Sequence, residues 1–441
     1  MKVSHFNTFP YGGAATAARR LSRRLQKSGI KSTFYYSRSD RDDLFQIGSS
    51  KSESIEQAQI LPKPEPRGMA IFSKRREKKR LREIWQLHND HIATRPAGEE
   101  TFSMARLPDE SRLNWFQINS DVVHLHWISF FADYPTFFQS IPEHVPLVWT
   151  LHDQNAFTGG CHYSGGCANY ESGCGSCPQV TDSHNRDVSV DSFMSKRRAL
   201  AGRKVHVVAP SKWMLDLARK SPIWPKTASF HHIRLGFNLK KFYPVDKHHA
   251  RKQLGIRSDA FLIGFGADDV RNKRKGIGSL MEALNQLPTN ENVEGLVFGA
   301  GEVQSTGPVK KIHQLGYIDS VDRQRLIYSA ADVVVVPSTE DNQPQVGLEA
   351  MACGTPVVGF DTCGIPEMVH HGKTGLLAEA GNPANLAKQI SWIITNPLPR
   401  QQMGIEARKM MELNHDSEIQ AARYLQLYEN ASQFDRSLKA A

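Results

Sequence analysis

Four sets of residues in this chain have types and spacings that could do chemistry. In the stretch 337–360, PSTEDNQPQVGLEAMACGTPVVGF, Asp341 and Glu349 are carboxylates with seven residues between them. The first falls on a loop after an apolar run, the second inside a helix-like stretch. Carboxylates so placed in a cleft accept hydrogen bonds from sugar hydroxyls. The plainer alternative is two surface acids, one of them near a helix N-terminus. Gly12 and Gly13 follow the first strand-like run and open a helix. Glycines there let a phosphate or a sugar approach the backbone, although a turn without a ligand is the commoner case. His152 ends a strand and is followed by Asp153. A lone histidine at a strand end is usually structural. His124 and His126 alternate along one strand face and either pack or contribute to a site. Finally, Cys161, Cys167, Cys174 and Cys177 follow the pattern C-x5-C-x6-C-x2-C. Four thiolates suit tetrahedral zinc, and the last C-x2-C is a good chelating arm. An iron–sulfur cluster, disulfides or four unligated thiols are the competing readings. Cys353 and Cys363 read as small packed residues.

Strands and helices must position these groups. Lys2–Asn7, 31–37, 121–128, 146–152 and 205–210 read as strands in the first half, with helices at 14–26 and 212–219 and Ser211 as the cap of the latter. The second half starts afresh near 239–244. Strands are expected at 261–267, 295–299, 332–337 and 355–360, a helix at 346–351, and helical structure from 383 to 435. Strands alternating with helices at this spacing imply two parallel sheets, each with helices on both faces. Two such sheets place a cleft between them, and in open α/β sheets ligands sit beyond the carboxyl ends of the strands. Between about 39 and 112 the alternation is lost. This polar insertion carries the basic run KRREKKRLR at 74–82. It reads either as a solvated helix or as a patch for anionic lipid.

The chain has 441 residues, 40% of them hydrophobic and 23% charged. That length suits two globular domains. No apolar run approaches the roughly 20 residues of a membrane span. The start reads as a strand rather than a secretory signal, so the expected compartment is the cytoplasm and the thiols are expected to be reduced. The net charge of +10 suits nucleic acid, an anionic membrane or a phosphorylated substrate. No recognition helix or RNA-binding motif accompanies it, which disfavours nucleic acid.

The 337–360 stretch resembles the signature of retaining glycosyltransferases of family 4, the "glycosyl transferase group 1" enzymes. Further segments resemble the same family: PYGGAATAA at 10–18, LGFNLKKFYP at 235–244, Lys275-Gly276, GYI at 316–318, CGIPEMV at 363–369 and GKTGLL at 372–377. The resemblance implies the GT-B fold, two Rossmann-like doubly wound domains facing a central cleft. It divides the chain into an acceptor-side domain at 1–235, a nucleotide-sugar domain at 236–415 and a C-terminal helix at 416–441 that packs back on the first domain.

The family's E-x7-E motif falls on Asp341 and Glu349, with Asp in place of the usual first Glu. By resemblance Glu349 holds the ribose of the nucleotide. Asp341, Glu340 or the backbone of Asn342 and Gln343 serves the sugar. Lys275 matches the lysine that binds the donor diphosphate. The family's arginine five residues earlier is Val270 here, and Arg271 is the first expectation for its substitute. His152 matches a histidine that faces the donor sugar, and Gly12 and Gly13 match the family's N-terminal glycine loop. Residues 152–178 are similar to a subset of exopolysaccharide enzymes, including colanic-acid-type transferases. The resemblance implies a nucleoside-diphosphate sugar (UDP or GDP), a glycan or lipid-linked acceptor and no catalytic metal. The basic run at 74–82, in an insertion without a family counterpart, is the candidate for peripheral contact with the inner face of a plasma membrane carrying a lipid-linked acceptor. Any zinc in the cysteine loop would be structural. The alternatives are a nucleotide-sugar epimerase of the same fold and, more remotely, a basic nucleic-acid-binding protein with a zinc module.

Overall fold

The computed structural model describes residues 1–37, 55–57, 60–62, parts of 75–90, 100–107, 111–113, 118–180, 185–257, 259–288, 292–304, 307–309 and 311–439. Most of the 39–112 insertion and most of the basic run at 74–82 lie outside the described residues. The chain forms two compact units. One takes in Glu100–Ile233, the chain before it and Ala421–Ala441; the other is Arg234–Gln420. Among the described residues no helix is long and apolar enough to cross a membrane.

The first unit holds a seven-stranded parallel sheet. Its strands are β1 (Lys2–Asn7), β2 (Lys31–Tyr36), β3 (Ile55–Gln57), β6 (Val122–Leu125), β7 (Leu147–Thr150), β8 (Val205–Ala209) and β9 (Ser229–His232). The order is β3-β2-β1-β6-β7-β8-β9. A separate antiparallel pair joins β4 (Ile60–Pro62) to β5 (Ser111–Leu113). The central strands are fully buried, as parallel strands covered on both faces must be. Helices α1 (Gly12–Lys27), α2 (Tyr134–Gln139), α3 (Val188–Leu200) and α4 (Lys212–Lys220) cover the sheet. Ser211 caps α4 by accepting the Met214 N–H at 3.1 Å.

The second unit holds a six-stranded parallel sheet of β10 (Phe261–Asp269), β11 (Val293–Ala300), β12 (Lys311–Gln314), β13 (Val333–Val336), β14 (Val357–Phe360) and β15 (Gly375–Ala378). Its order is β12-β11-β10-β13-β14-β15. Its helices are α5 (Lys247–Gln253), α6 (Ile277–Asn285), α7 (Val321–Ala330), α8 (Gln345–Ala352), α9 (Pro383–Thr395) and α10 (Pro397–Asn414). A last helix, α11 (Ser417–Lys439), follows. Its Tyr424, Leu427 and Tyr428 pack with Val3, Val122, Val148 and Val208 of the first sheet. The helical stretch expected over 383–435 is thus three helices. Pro397 cannot continue α9, and its fixed φ suits the first turn of α10 instead.

Both sheets reverse their winding at one place. The chain leaves β1 toward β2 and returns to β6 on the other side, and it leaves β10 toward β11 and returns to β13. The loops after such a pair diverge and open a crevice at the carboxyl ends of the strands. Gly12 follows β1 and His126 follows β6. Lys275 follows β10 and Asp341 follows β13.

Candidate functional site

In the second unit the two loops of the switch point are fastened together. After β10, Asn272 accepts the Arg274 N–H with its side chain and starts the short turn Lys273–Lys275. Gly276 ends it with φ +77. A Cβ at Gly276 would lie 1.9 Å from the carbonyl oxygen of Pro337, so only glycine fits against the end of β13. Thr339 N–H then donates to the Arg274 carbonyl at 2.9 Å. Lys275 Nζ donates to Asp341 Oδ2 at 2.6 Å, and Arg274 Nη1 lies 3.2 Å from the same oxygen. Arg274 also donates to the Glu340 carbonyl at 2.7 Å. Burial of Asp341 works to raise its pKa, but the Lys275 and Arg274 charges outweigh this and hold it below the usual carboxylate range. Asp341 is an ionised clamp that fixes two cations at the mouth of the crevice.

Next to this clamp, Asn342 and Gln343 are buried. Among the described residues, neither end of the Gln343 amide has a hydrogen-bond partner. An unpaired buried amide is costly, and a ligand with hydroxyl groups relieves it. Glu349, on α8, is 6% exposed and accepts the Tyr328 hydroxyl at 2.7 Å. Arg271 lies apart from the acids. It pairs with Asp269 at 2.7 Å, stays 65% exposed and lies against Gly301. The basic residue that joins Lys275 on Asp341 is therefore Arg274, and the arginine expected there, Arg271, is bound to its own strand end.

In the first unit, Gly12 has φ +85 with open space where a Cβ would stand. His152 joins a chain of imidazoles. His5 Nδ1 is 3.0 Å from His126 Nε2, and His126 Nδ1 is 3.1 Å from His152 Nε2. His124 bonds Tyr428 at 2.6 Å and Thr150 at 2.7 Å. Burial lowers these histidines, His5 to about 3 and His152 to about 4. Among the described residues, His5, His124 and His126 form the one group whose ligand atoms all lie within 4.8 Å of one another. Since they are bonded to each other and to hydroxyls, they form a neutral hydrogen-bonded network. Sequence spacing revealed His124 and His126 but gave no sign of His5, which comes from a different strand.

Beyond His152, Asp153 accepts from the Trp127 indole at 2.7 Å and lies 2.5 Å from His162 Nδ1. The four-cysteine loop follows. Cys161, Cys167, Cys174 and Cys177 all line one cavity of about 20 Å³, and none of them is in a disulfide. They do not form a convergent group as the three histidines do, so the four thiols do not meet on one ion as the zinc reading expects. Burial pushes Cys161 and Cys174 up to about 12.

Two parallel-sheet α/β units, each wound about its own switch point, make up the GT-B fold. Residues 246–410 match the family model described as "Glycosyl transferases group 1". The chain has the GT-B fold, and most of its second unit matches that group. Among characterised relatives it is similar to a GDP-mannose-dependent monoacylated alpha-(1-6)-phosphatidylinositol monomannoside mannosyltransferase of Corynebacterium glutamicum. Identity is 27% over 271 residues, covering 56% of this chain and 69% of the relative. Other relatives are matched over only 38–53% of their own length. Sucrose-phosphate synthase from Thermosynechococcus elongatus shares the fold with TM-score 0.66 and 22% identity, covering 97% of this chain and 98% of that one. HepE from Anabaena, solved with UDP-glucose, matches with TM-score 0.64 and 17% identity over 98% of this chain and all of its own.

Proposed function

We propose that this chain transfers a hexose, with retention at the anomeric carbon, from a nucleoside-diphosphate sugar to a glycan or lipid-linked acceptor in the synthesis of surface or extracellular polysaccharide. The observation that carries the donor assignment is the switch-point clamp, with Lys275 and Arg274 held on Asp341 beside the unpaired Gln343 amide. In this reading Lys275 and Arg274 bind the diphosphate. Their charges count most as the sugar–phosphate bond breaks and negative charge collects on the departing oxygen. Glu349, steadied by Tyr328, accepts from the ribose hydroxyls. Gln343, the backbone of Asn342 and the rim formed by Glu340 and Asp341 serve the sugar. His152, Gly12 and Gly13 belong to the acceptor side. The acceptor oxygen bonds to the anomeric carbon, the bond from that carbon to the phosphate oxygen breaks, and the acceptor proton passes to the leaving phosphate. The step uses no metal and no side-chain nucleophile.

Two relatives support a nucleotide-sugar donor: one is named for GDP-mannose and a phosphatidylinositol mannoside, the other was solved with UDP-glucose. The reaction is assigned to the cytoplasmic face of the plasma membrane, with the basic run at 74–82 touching anionic lipid. A thermal-shift screen with UDP- and GDP-sugars tests the donor. One nucleotide series should stabilise the protein and the other should not. Glu349→Ala and Lys275→Ala should each remove most transfer while circular dichroism stays unchanged, because Arg274 still pairs with Asp341 when Lys275 is gone. Full activity in both variants would refute the assignment.

A further inference from the structure

We propose that Phe9, Tyr11, Trp127 and Phe130 form an aromatic platform on which a pyranose ring of the acceptor stacks. The chain then extends a sugar already in place and does not start on a bare lipid phosphate. This rests on the transferase reading above and narrows its acceptor.

The four rings come from the two loops of the first unit's switch point. Phe9 and Tyr11 follow β1, and Trp127 and Phe130 follow β6. Each ring touches the next: Tyr11 lies 5.3 Å from Phe9, Phe9 5.9 Å from Trp127, and Trp127 6.3 Å from Phe130, between centroids. All four are half-buried, whereas Phe6 and Phe131, close by in the chain, are 0% and 3% exposed in the core. Large rings left at the surface as one contiguous group mark a binding site, whereas scattered ones need no explanation.

The group is also held in place. Asn7 donates to the Phe9 carbonyl at 2.8 Å and accepts the Trp127 N–H at 2.9 Å, so one side chain fastens both loops. The Thr8 N–H adds a bond to the Trp127 carbonyl at 2.8 Å. The indole N–H donates to Asp153 Oδ2 at 2.7 Å, and the indole packs 5.2 Å from the His162 ring. Phe130 has φ +62, a conformation that bulky residues rarely adopt. Its neighbour Phe131 meets Phe6 edge-on at 5.7 Å in the core, while Phe130 stays at the surface. Strain of this kind gathers at ligand contacts.

The platform ends beside polar groups. Trp127 follows His126, whose Nδ1 lies 3.1 Å from His152 Nε2. Its indole is tied to the residue directly after His152. Next to Tyr11, Gly12 leaves open space at its backbone. A pyranose has apolar C–H faces and a rim of hydroxyls. The rings take the faces, and His152 with the neighbouring backbone takes hydroxyls. A prenyl phosphate brings no hydroxyl to that edge.

The test is saturation-transfer NMR on the full chain with UDP or GDP present. The probes are octyl glycosides of glucose, galactose, mannose and N-acetylglucosamine, with farnesyl phosphate as the lipid phosphate. Irradiating the protein's aromatic protons should saturate the ring protons of at least one glycoside more than its octyl protons. Phe9→Ala and Tyr11→Ala should each weaken that glycoside about tenfold or more, while nucleotide still raises the melting temperature as in wild type. Phe130→Gly should melt higher than Phe130→Ala, because glycine adopts that φ freely, yet bind the glycoside no better. Saturation confined to the octyl chain, none in any glycoside, or stronger transfer to farnesyl phosphate would overturn the platform. So would wild-type glycoside affinity in Phe9→Ala, Tyr11→Ala and Phe130→Gly. Nucleotide binding is read in the same samples: its absence in wild type refutes the donor assignment, whereas a sugar result that fails with nucleotide bound refutes the platform alone.

Discussion

One added methyl group at Gly276 tests how the donor loop is built. Gly276 has φ +77 and ψ 24, a left-handed conformation that costs alanine roughly 1–2 kcal/mol. The new Cβ would also lie 1.9 Å from the Pro337 carbonyl oxygen and 2.7 Å from its carbon. Both neighbours are backbone, so no side-chain rotation relieves the overlap. The turn and the end of β13 must part by about 1 Å or more to restore an ordinary contact. That movement acts directly on the Thr339-to-Arg274 bond at 2.9 Å and the Lys275–Asp341 pair at 2.6 Å. Strain plus one weakened hydrogen bond amounts to about 2–3 kcal/mol, which in a unit of this size lowers the melting temperature by about 5–10 °C. A shift of that size in the diphosphate-binding cations is expected to cost about 100-fold in transfer. Gly278→Ala is the control. It lies in the first turn of α6, which Gly276 precedes as its N-cap, with nothing within 4 Å of its Cβ, and alanine there should leave activity unchanged and raise stability by about 0.5–1 kcal/mol. Calorimetric binding of UDP or GDP, with melting curves, reads both variants. A Gly276→Ala protein with wild-type nucleotide affinity and melting temperature would refute the reasoning.

Three further outcomes follow from the same structure. Tyr328→Phe removes a 2.7 Å hydrogen bond to the buried Glu349 carboxylate. Donor binding should weaken tenfold or more, the equivalent of about 1.5–3 kcal/mol, and unchanged donor affinity would separate Tyr328 from ribose binding. Asp332 accepts from Lys247 and Arg251 at 2.6 Å each and from the Leu262 N–H at 2.8 Å. Asp332→Ala takes the carboxylate from the buried Arg251, which keeps only neutral carbonyl acceptors in Ala330 and Ala260 among those shown, and should cost about 3–5 kcal/mol in urea unfolding. Burial opposes ionisation of Asp332, but its cations lower its pKa, so its contribution is present above about pH 4 and is lost as pH falls through the folded value. The buried histidines act at higher pH. His5, His124 and His126 have lowered pKa values in the fold, chiefly through burial, His5 to about 3. The unfolded chain takes up protons near pH 6.5 while the folded chain does not. Stability should therefore hold above pH 6.5 and fall below it by about 1.4 kcal/mol per pH unit for each histidine. Equal unfolding free energies at pH 7.5 and 5 would contradict this.

The strands that were legible in the sequence are those in sheet interiors. Val333–Val336 and Val205–Ala209 are buried on both faces and so appear as continuous apolar runs. Two of the strands that escaped notice, Ser229–His232 and Lys311–Gln314, are edge strands at the ends of the two orders, only partly buried and polar in sequence. Local sequence carries no signal for them, since their pairing is decided by the strand already in place. The same division holds in the site. Asp341, Glu349 and Lys275 could be read from spacing and from a family signature. Arg274 and Arg271 are equivalent in a basic run. Only the Asn272 side chain, by starting the turn that aims Arg274 at Asp341, distinguishes them. Tyr328 lies on another helix at no regular interval from Glu349.

The aspartate at 341 follows from the same geometry. Its short side chain keeps the carboxylate close to the backbone, where Asn342 N–H donates to Oδ1 at 3.0 Å while Oδ2 takes Lys275. A glutamate would place its charge one methylene further out and could not keep both bonds without shifting the loop. The longer, neutral amide of Gln343, two residues on, has both of its polar ends unpaired. The proposed reading therefore gives the charge to the cations and the reach to the amide. Under it, Gln343→Ala should weaken binding of the intact nucleotide sugar while leaving affinity for the bare nucleoside diphosphate unchanged. Asp341→Asn should weaken both, because Lys275 and Arg274 would lose the anion that positions them. Equal loss of sugar nucleotide and bare nucleotide in Gln343→Ala would remove the amide from the sugar site.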